Sequence, residues 1–443
     1  MKRLSALILL IAAGCAGRVA GTVPAAADAR AQSVTGTIPY GVIQHVVIIV
    51  QENRSVDNLF NGLPGADTVT SGKDSHGNTI SLQPISISAP YDIDHRHGAF
   101  TTEYDNGRMD GFDKVMIDGK NAPKDAAYGY VPQSQVQPYF DMAEQYAFAD
   151  RMFQSNSGDS LAAHQYVIAG TAAVSAQSRY YAMNNPKGAT YAVGGCDSPS
   201  GTLESLIDVD TNDQSQSAFP CFDHPTLMDL LSNAGDTWRY YESRRGPGIW
   251  NAPDAISHIR YGPLYGNVVA PNSAFLKDLA NGKLANVTWV IPNALQSDHP
   301  RQTDGSGPSY VAQMVDAVGQ SKFWPNCAIF VVWDDWGGWY DHVAPQQFNY
   351  YELGFRVPLI AISPYARSAY VSHTQHEFGS ILKFVEEAFN LGSLGYTDAR
   401  ADDLSDMFNF GRRARAFKKI PYPASVQTLQ RDALDTSGPD DDF

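Results

Sequence analysis

The chain has 443 residues, 43% of them hydrophobic and 18% charged, an ordinary globular composition with length enough for a large core. Its 47 acidic residues against 32 basic ones leave a formal charge of −15. That balance argues against non-specific binding to nucleic acid or to anionic membranes.

The chain opens as a leader. Lys2 and Arg3 precede the apolar stretch 4–13, and Ala29-Arg30-Ala31 offers a small-residue cleavage site before Gln32, so 1–31 reads as a signal peptide. Lipid attachment at Cys15 ranks second, because Ala12 stands three places before it where leucine is usual. The apolar stretch is short for a membrane span and no other run approaches about 18 residues, so no stable span is expected. The expectation is export, to the periplasm or beyond, where disulfides are permitted. Cys196 and Cys221 flank a loop-like stretch and are expected to pair; Cys327 opens an apolar strand and is expected to be a buried thiol. Without a C-x-x-C pair, a cysteine zinc site is not expected.

Buried strands are predicted at 46–50, 237–241, 287–291, 328–333 and 357–362. They are short, rich in β-branched residues and mostly non-alternating, as strands covered on both faces are. Helical patterns fall between them, at 161–172, 226–233, 273–280, 309–323 and 377–389. Strands alternating with helices predict an α/β, doubly wound and mainly parallel sheet sandwiched by helices. Two stretches, 61–138 and 174–222, are rich in Gly, Pro, Asp and Ser and read as excursions over the carboxyl edge. One large domain is placed at 40–425 and an acidic, solvated tail at 426–443. Asp208, Asp210, Asn212 and Asp213 fail the EF-hand pattern, with Asp213 where glycine belongs and Phe219 where the bidentate glutamate belongs, so a polar turn is expected.

Two apolar runs end abruptly in oxygen-rich residues. Val46-Val47-Ile48-Ile49-Val50 is followed by Gln51-Glu52-Asn53, and the run from Cys327 to Trp333 by Asp334-Asp335-Trp336-Gly337-Gly338. Ligands of open α/β sheets bind beyond the carboxyl ends of the strands. Glu52, Asn53, Asp334 and Asp335 are therefore the candidate ligands of one divalent metal ion, since hard oxygens from two strands suit such a cation. The alternative for either run alone is an acid that caps a helix or faces water. The two glycines would let backbone approach closely.

Ser160 precedes a predicted helix, where free N–H groups and the dipole suit a phosphoryl group, although serine there is commonly only an N-cap. No G-x-S-x-G elbow is present, against an α/β-hydrolase esterase. His95 and His299 each follow an acid and are placed over the sheet edge as phosphate contacts and proton donors. His342 is expected to support the ligands from behind, and His164 lies in the helix after Ser160. No H-E-x-x-H motif is present around His376. Trp333, Trp336, Trp339 and Tyr340 either line a cleft or pack around the strand end.

The ordered blocks IIVQENRSVDNLF, DHRHGAF, NGRMDGF, FADRMFQSNSGDSLAAHQYVIAG, SDHP, VVWDDWGGWYDHV and FRVPLIAISPYAR cover most of the chain. Their set resembles the bacterial phosphoesterase family that contains non-specific phospholipases C and an acid phosphatase branch, with the alkaline phosphatase-like fold. The resemblance implies metal-site roles for Glu52, Asn53, Asp334 and Asp335, a nucleophile at Ser160, and phosphate contacts at His95 and His299. It implies hydrolysis of a phosphate ester, a phospholipid or a small phosphomonoester, through a phosphoserine intermediate. One departure leaves the substrate open: phospholipase branches often carry Thr-x-Pro-Asn-Arg where this chain reads Ser160-Leu161-Ala162-Ala163-His164. The alternatives are a metal-independent serine carboxylesterase and a non-catalytic exported metal-binding protein.

Overall fold

The computed structural model describes residues 38–187 and 193–435. The leader and Cys15 lie outside the described residues. Eight strands form the main sheet: β1 His45–Gln51, β2 Ala147–Ala149, β3 Trp238–Tyr241, β4 Val268–Val269, β5 Val287–Val290, β6 Cys327–Trp333, β7 Leu359–Ile362 and β8 Tyr370–Ser372. Their order is β4-β3-β5-β1-β6-β7-β2-β8. β7 pairs antiparallel with both neighbours and every other pairing is parallel. The five strands predicted from apolar runs are all here, and β6 is buried along its whole length, as a strand covered on both faces must be.

The flanking helices are α1 His97–Tyr104, α2 Gln137–Gln145, α3 Ser160–Ala169, α4 Leu227–Ala234, α5 Ala274–Ala280, α6 Gly307–Gly319, α7 Phe378–Phe389 and α8 Val426–Asp432. They pack as two groups: α6 against α2 and α5, and α3 against α4 and α7. Every residue of α3 is buried, so its sequence shows no amphipathic stripe. α4 starts with a reciprocal cap between Thr226 and Asp229 and stops at Gly235, whose φ of 82° suits the left-handed end of a helix.

The first excursion builds a second small core. Leu82, Tyr91, Ile93, Phe100, Phe112 and Tyr128 pack there with Trp336, Trp339 and Tyr340, which follow the carboxyl end of β6. The second excursion carries a small antiparallel sheet and the Cys196–Cys221 disulfide, 25 residues apart in sequence. Cys327 is a buried free thiol. Asp208 accepts the backbone N–H groups of Asp210 and Thr211, which makes that segment a polar turn. The start of the expected tail is solvated along most of α8 but docked at one point. Leu429 of α8 is buried, and Asn293 Nδ2 donates to the carbonyls of Asp432 and Asp435. One short apolar anchor and a few backbone acceptors dock this segment despite its charge. Residues 436–443 lie outside the described residues.

Candidate active site

Strand order explains why the two oxygen-rich tips meet. β1 and β6 are adjacent and parallel, in a register that sets Gln51 opposite Trp333. The next residues on each strand are Glu52-Asn53 and Asp334-Asp335. The tips are stitched by backbone and side chain: Asp334 N–H donates to Gln51 O at 2.9 Å, Asn53 N–H to Asp334 Oδ1 at 3.1 Å and Arg54 N–H to Asp335 O at 2.9 Å. On the other side of β1, β5 leads to Asp298-His299. Arg54 ties that loop in, donating through Nε and Nη2 to Asp298 O at 3.0 and 2.7 Å.

All four oxygen-rich residues are fully buried. Each leaves one oxygen without a hydrogen-bond partner: Glu52 Oε2, Asn53 Oδ1, Asp334 Oδ2 and Asp335 Oδ2. Unpaired buried acceptors are costly, and adjacent buried carboxylates repel. Burial, followed by Asp334, pushes the carboxyl groups of both Glu52 and Asp335 well above the usual carboxylate range. Four unsatisfied hard oxygens at the ends of two adjacent strands suit a divalent cation, which would satisfy acceptors and offset the repulsion together.

Two histidines border this group. His95, His299 and Asp92 bring their donor atoms within 4.8 Å of one another, and the two rings lie 6.2 Å apart. His95 Nε2 is 4.0 Å from Asp335 Oδ2. Burial opposes charge on His95, but Asp335, then Asp92 and Asp159, outweigh it and push its pKa up to about 10. The Nδ1–H bond to Ile93 O at 2.7 Å adds to that push, and only the contact at Nε2 calls for the neutral form: Nε2 faces the Asn53 amide nitrogen at 3.0 Å, where it must accept. A cation among the carboxylates would cancel the push and leave the form that Asn53 requires. Burial lowers the pKa of His299, whose Nδ1 sits 2.7 Å from Pro300 O.

α3 closes the site from the side of Ser160. Its N-cap is Asp159, in extended conformation, and Ser160 is the first helical residue, so Ser160 is not serving as the cap. Ser160 is 1% exposed. Asp159 acts electrostatically on both His95 and Asp335, which sets the start of the helix beside them. One turn on, and on the same face as Ser160, His164 Nε2 lies 3.2 Å from Glu52 Oε1 and 3.8 Å from Asp334 Oδ2. Burial lowers the His164 pKa to about 4.

Sequence reasoning gave no role to His164, Asp92 or Asp159. A signal existed for His164, because four residues separate it from Ser160, one helical turn. Asp92 and Asp159 had no such signal. His342 bonds to none of the four expected ligands; its Nδ1 is 2.6 Å from Asp57 Oδ2 and its Nε2 3.2 Å from Asp67 Oδ1. Buried Arg356 joins this network through Asp57 and Asp341, supplying the positive charge that these acids need. The aromatic residues at and after the carboxyl end of β6 pack rather than line a cleft. Trp333, Trp336 and Trp339 are fully buried, with the indole N–H of Trp333 given to Asp298 and that of Trp336 to Glu103.

Comparison with known proteins adds a family. The model of the Phosphoesterase family matches residues 43–392. The hemolytic phospholipase C of Pseudomonas aeruginosa is 24% identical over 469 aligned residues, covering 90% of this chain and 60% of the relative. The phospholipase C A of Mycobacterium tuberculosis is 23% identical over 436 aligned residues, covering 83% of this chain and 77% of the relative. The chain thus spans about 60% of the length of the Pseudomonas relatives. Among solved structures, a protein in the alkaline phosphatase superfamily from Vibrio parahaemolyticus aligns with a TM-score of 0.39 and 10% identity, covering 83% of this chain and 71% of that one.

Proposed function

We propose that this chain, which belongs to the Phosphoesterase family, hydrolyses phosphoric esters with the help of one divalent cation. The observation that carries the reading is the set of four buried oxygens without hydrogen-bond partners on Glu52, Asn53, Asp334 and Asp335. These residues would hold the cation, whose chemistry when bound is Lewis-acid polarisation of a phosphoryl oxygen. Ser160 is the nucleophile: its Oγ bonds to phosphorus, the ester oxygen leaves as an alcohol, and a phosphoserine remains. Water then cleaves that intermediate, returning serine and releasing phosphate or a phosphorylated head group. The start of α3 turns the positive end of its dipole to the anionic group, its Leu161 N–H being held by Asn185 Oδ1 at 2.9 Å and its Ala163 N–H by Asp159 O at 3.2 Å. His95 and His299 flank the transferred group, and the proton passes to the leaving alcohol through His299 Nε2, with Nδ1 anchored at Pro300.

The relatives named phospholipase C put phospholipids first among the substrates to try, with small phosphomonoesters beside them. Export is part of the proposal. It is supported by the leader-like 1–31 and by a disulfide of the kind that oxidising compartments allow. Among the described residues, no helix is long and apolar enough to cross a membrane.

The test is an acid quench of turnover on ³²P-labelled esters, with the label mapped by peptide. Label on Ser160 is expected, and Ser160→Ala should lower kcat by about 10³-fold or more with its melting temperature unchanged. A normally active Ser160→Ala protein removes the nucleophile assignment. Exhaustive chelation should abolish activity and cation add-back restore it; activity that survives chelation favours the metal-independent carboxylesterase.

A further inference from the structure

We propose that His164 supplies an imidazole nitrogen to the cation centre, alongside the carboxylates of Glu52 and Asp334. The inference rests on the cation reading above and adds to it a donor of a different chemical kind.

Distance is the first support. His164 Nε2 lies 3.2 Å from Glu52 Oε1 and 3.8 Å from Asp334 Oδ2, and one donor atom from each residue falls within 4.8 Å of the others. With metal–ligand bonds of about 2.0–2.2 Å, two ligands of one ion stand roughly 3–4 Å apart, so these separations need no rearrangement. The imidazole is 1% exposed and both carboxylates are fully buried.

The hydrogen on the imidazole is the second support. Tyr240 gives its hydroxyl hydrogen to Trp250 O at 2.5 Å. Its oxygen stands 3.5 Å from His164 Nδ1, where only acceptance is left to it. That contact favours the tautomer with the proton on Nδ1, in which Nε2 turns a lone pair toward two carboxylates. Glu52 Oε2 and Asp334 Oδ2 meanwhile lack any hydrogen-bond partner. A plain Nε2–H to Glu52 hydrogen bond would set the Nδ1 lone pair against the Tyr240 oxygen and leave both orphan oxygens as they are. A cation between Nε2 and the carboxylates satisfies all of these atoms at once. The Tyr240 contact then orients the ligand from behind, as the outer partners of metal-bound histidines do.

The chemical consequence is a choice of metal. An all-oxygen cage suits Mg²⁺ or Ca²⁺, whereas an imidazole shifts preference toward borderline ions such as Zn²⁺, Fe²⁺ and Co²⁺.

The test uses the metal-stripped full chain, titrated calorimetrically with Co²⁺ and with Ca²⁺, and X-ray absorption at the cobalt edge of the loaded protein. The wild type is expected to bind Co²⁺ in preference to Ca²⁺ and to show imidazole scattering. His164→Gln should lose that scattering and about 100-fold in Co²⁺ affinity, the upper end of what losing even an outer partner costs, while Ca²⁺ affinity changes less than about 10-fold. His95→Gln, His299→Gln, His342→Gln and His376→Gln, which remove the histidines of the other clusters able to hold a metal, should each keep the scattering, which assigns it to His164 even where the first variant does not fold. Oxygen scatterers alone in the wild type, or imidazole scattering that persists in His164→Gln, overturn the proposal and leave the oxygen cage standing. A wild type that binds neither ion overturns the cage and this proposal with it.

Discussion

Asn53 and Gly337 lie against each other in left-handed backbone conformations, at φ 61° and 64°, so closely that a Cβ on Gly337 would stand 2.4 Å from the Asn53 carbonyl oxygen. The contact holds the tip of β1 against the turn after β6. It is why glycine, rather than any small residue, follows the acidic pair there.

Gly337→Ala should therefore cost more than the about 1–3 kcal/mol of an unfavourable backbone conformation, because the methyl group also displaces Asn53. A lower urea midpoint together with lost activity is expected. An unchanged midpoint would show that the turn can relax without moving Asn53.

The buried acids make a second, less intuitive prediction. Burial, then Asp334, raises the Asp335 carboxyl well above its usual range, so the cation-free protein carries electrostatic strain at neutral pH. Asp335→Asn keeps an acceptor for the Gly337 N–H, now made to Asp335 Oδ1 at 2.7 Å, and removes one charge. Its cation-free melting temperature at pH 8 should exceed that of the cation-free wild type, while cation affinity and activity fall. Differential scanning calorimetry in chelator reads the first effect, and a lower melting temperature would contradict the strain.

Glu386 supplies a pH dependence remote from the site. It accepts the Leu394 N–H at 3.1 Å, and burial, then Asp398, pushes its pKa up to about 9. The folded chain thus holds this proton where the unfolded chain, titrating near the ordinary glutamate value of 4.5, has released it. Stability is lost as pH rises through the window from about 4.5 to about 9. Glu386→Gln keeps the acceptor and removes the titration. It should melt near the wild type at pH 5 and above it at pH 8; parallel melting curves across that range would refute the assignment.

The Cys196–Cys221 bridge closes a 25-residue separation in the second excursion. Replacing both cysteines with serine should cost about 3 kcal/mol, from restored freedom of the unfolded chain. Chemical denaturation of the double variant measures it. An unchanged midpoint would mean that the excursion is held by its other contacts.

Much of the frame was legible in the sequence. The runs at 46–50 and 328–333 are continuous and β-branched, and such runs are stable only when covered on both faces. β2, β4 and β8 escaped notice because strands of two or three residues carry no period of their own. α1 escaped because HGAFTTEY has no apolar stripe. Trp336 and Trp339 were open to two readings, since an aromatic side chain packs as well as it lines a cleft; the second core, assembled from the first excursion, decided for packing.

What the sequence by itself determined was which residues end the central strands. Glu52 and Asp334 cannot pack against hydrocarbon as the apolar run before them does, so the break in pattern marks the strand end, although the fold buries both acids. What only the tertiary structure decided was who meets whom there. β1 and β6 are neighbours because distant runs pair in register, and α3 swings His164 to Glu52 across 112 residues of chain. Local sequence sets each side chain's direction along its own strand or helix. Whether buried oxygens converge, repel and so require a cation depends on distances that only the packed fold creates.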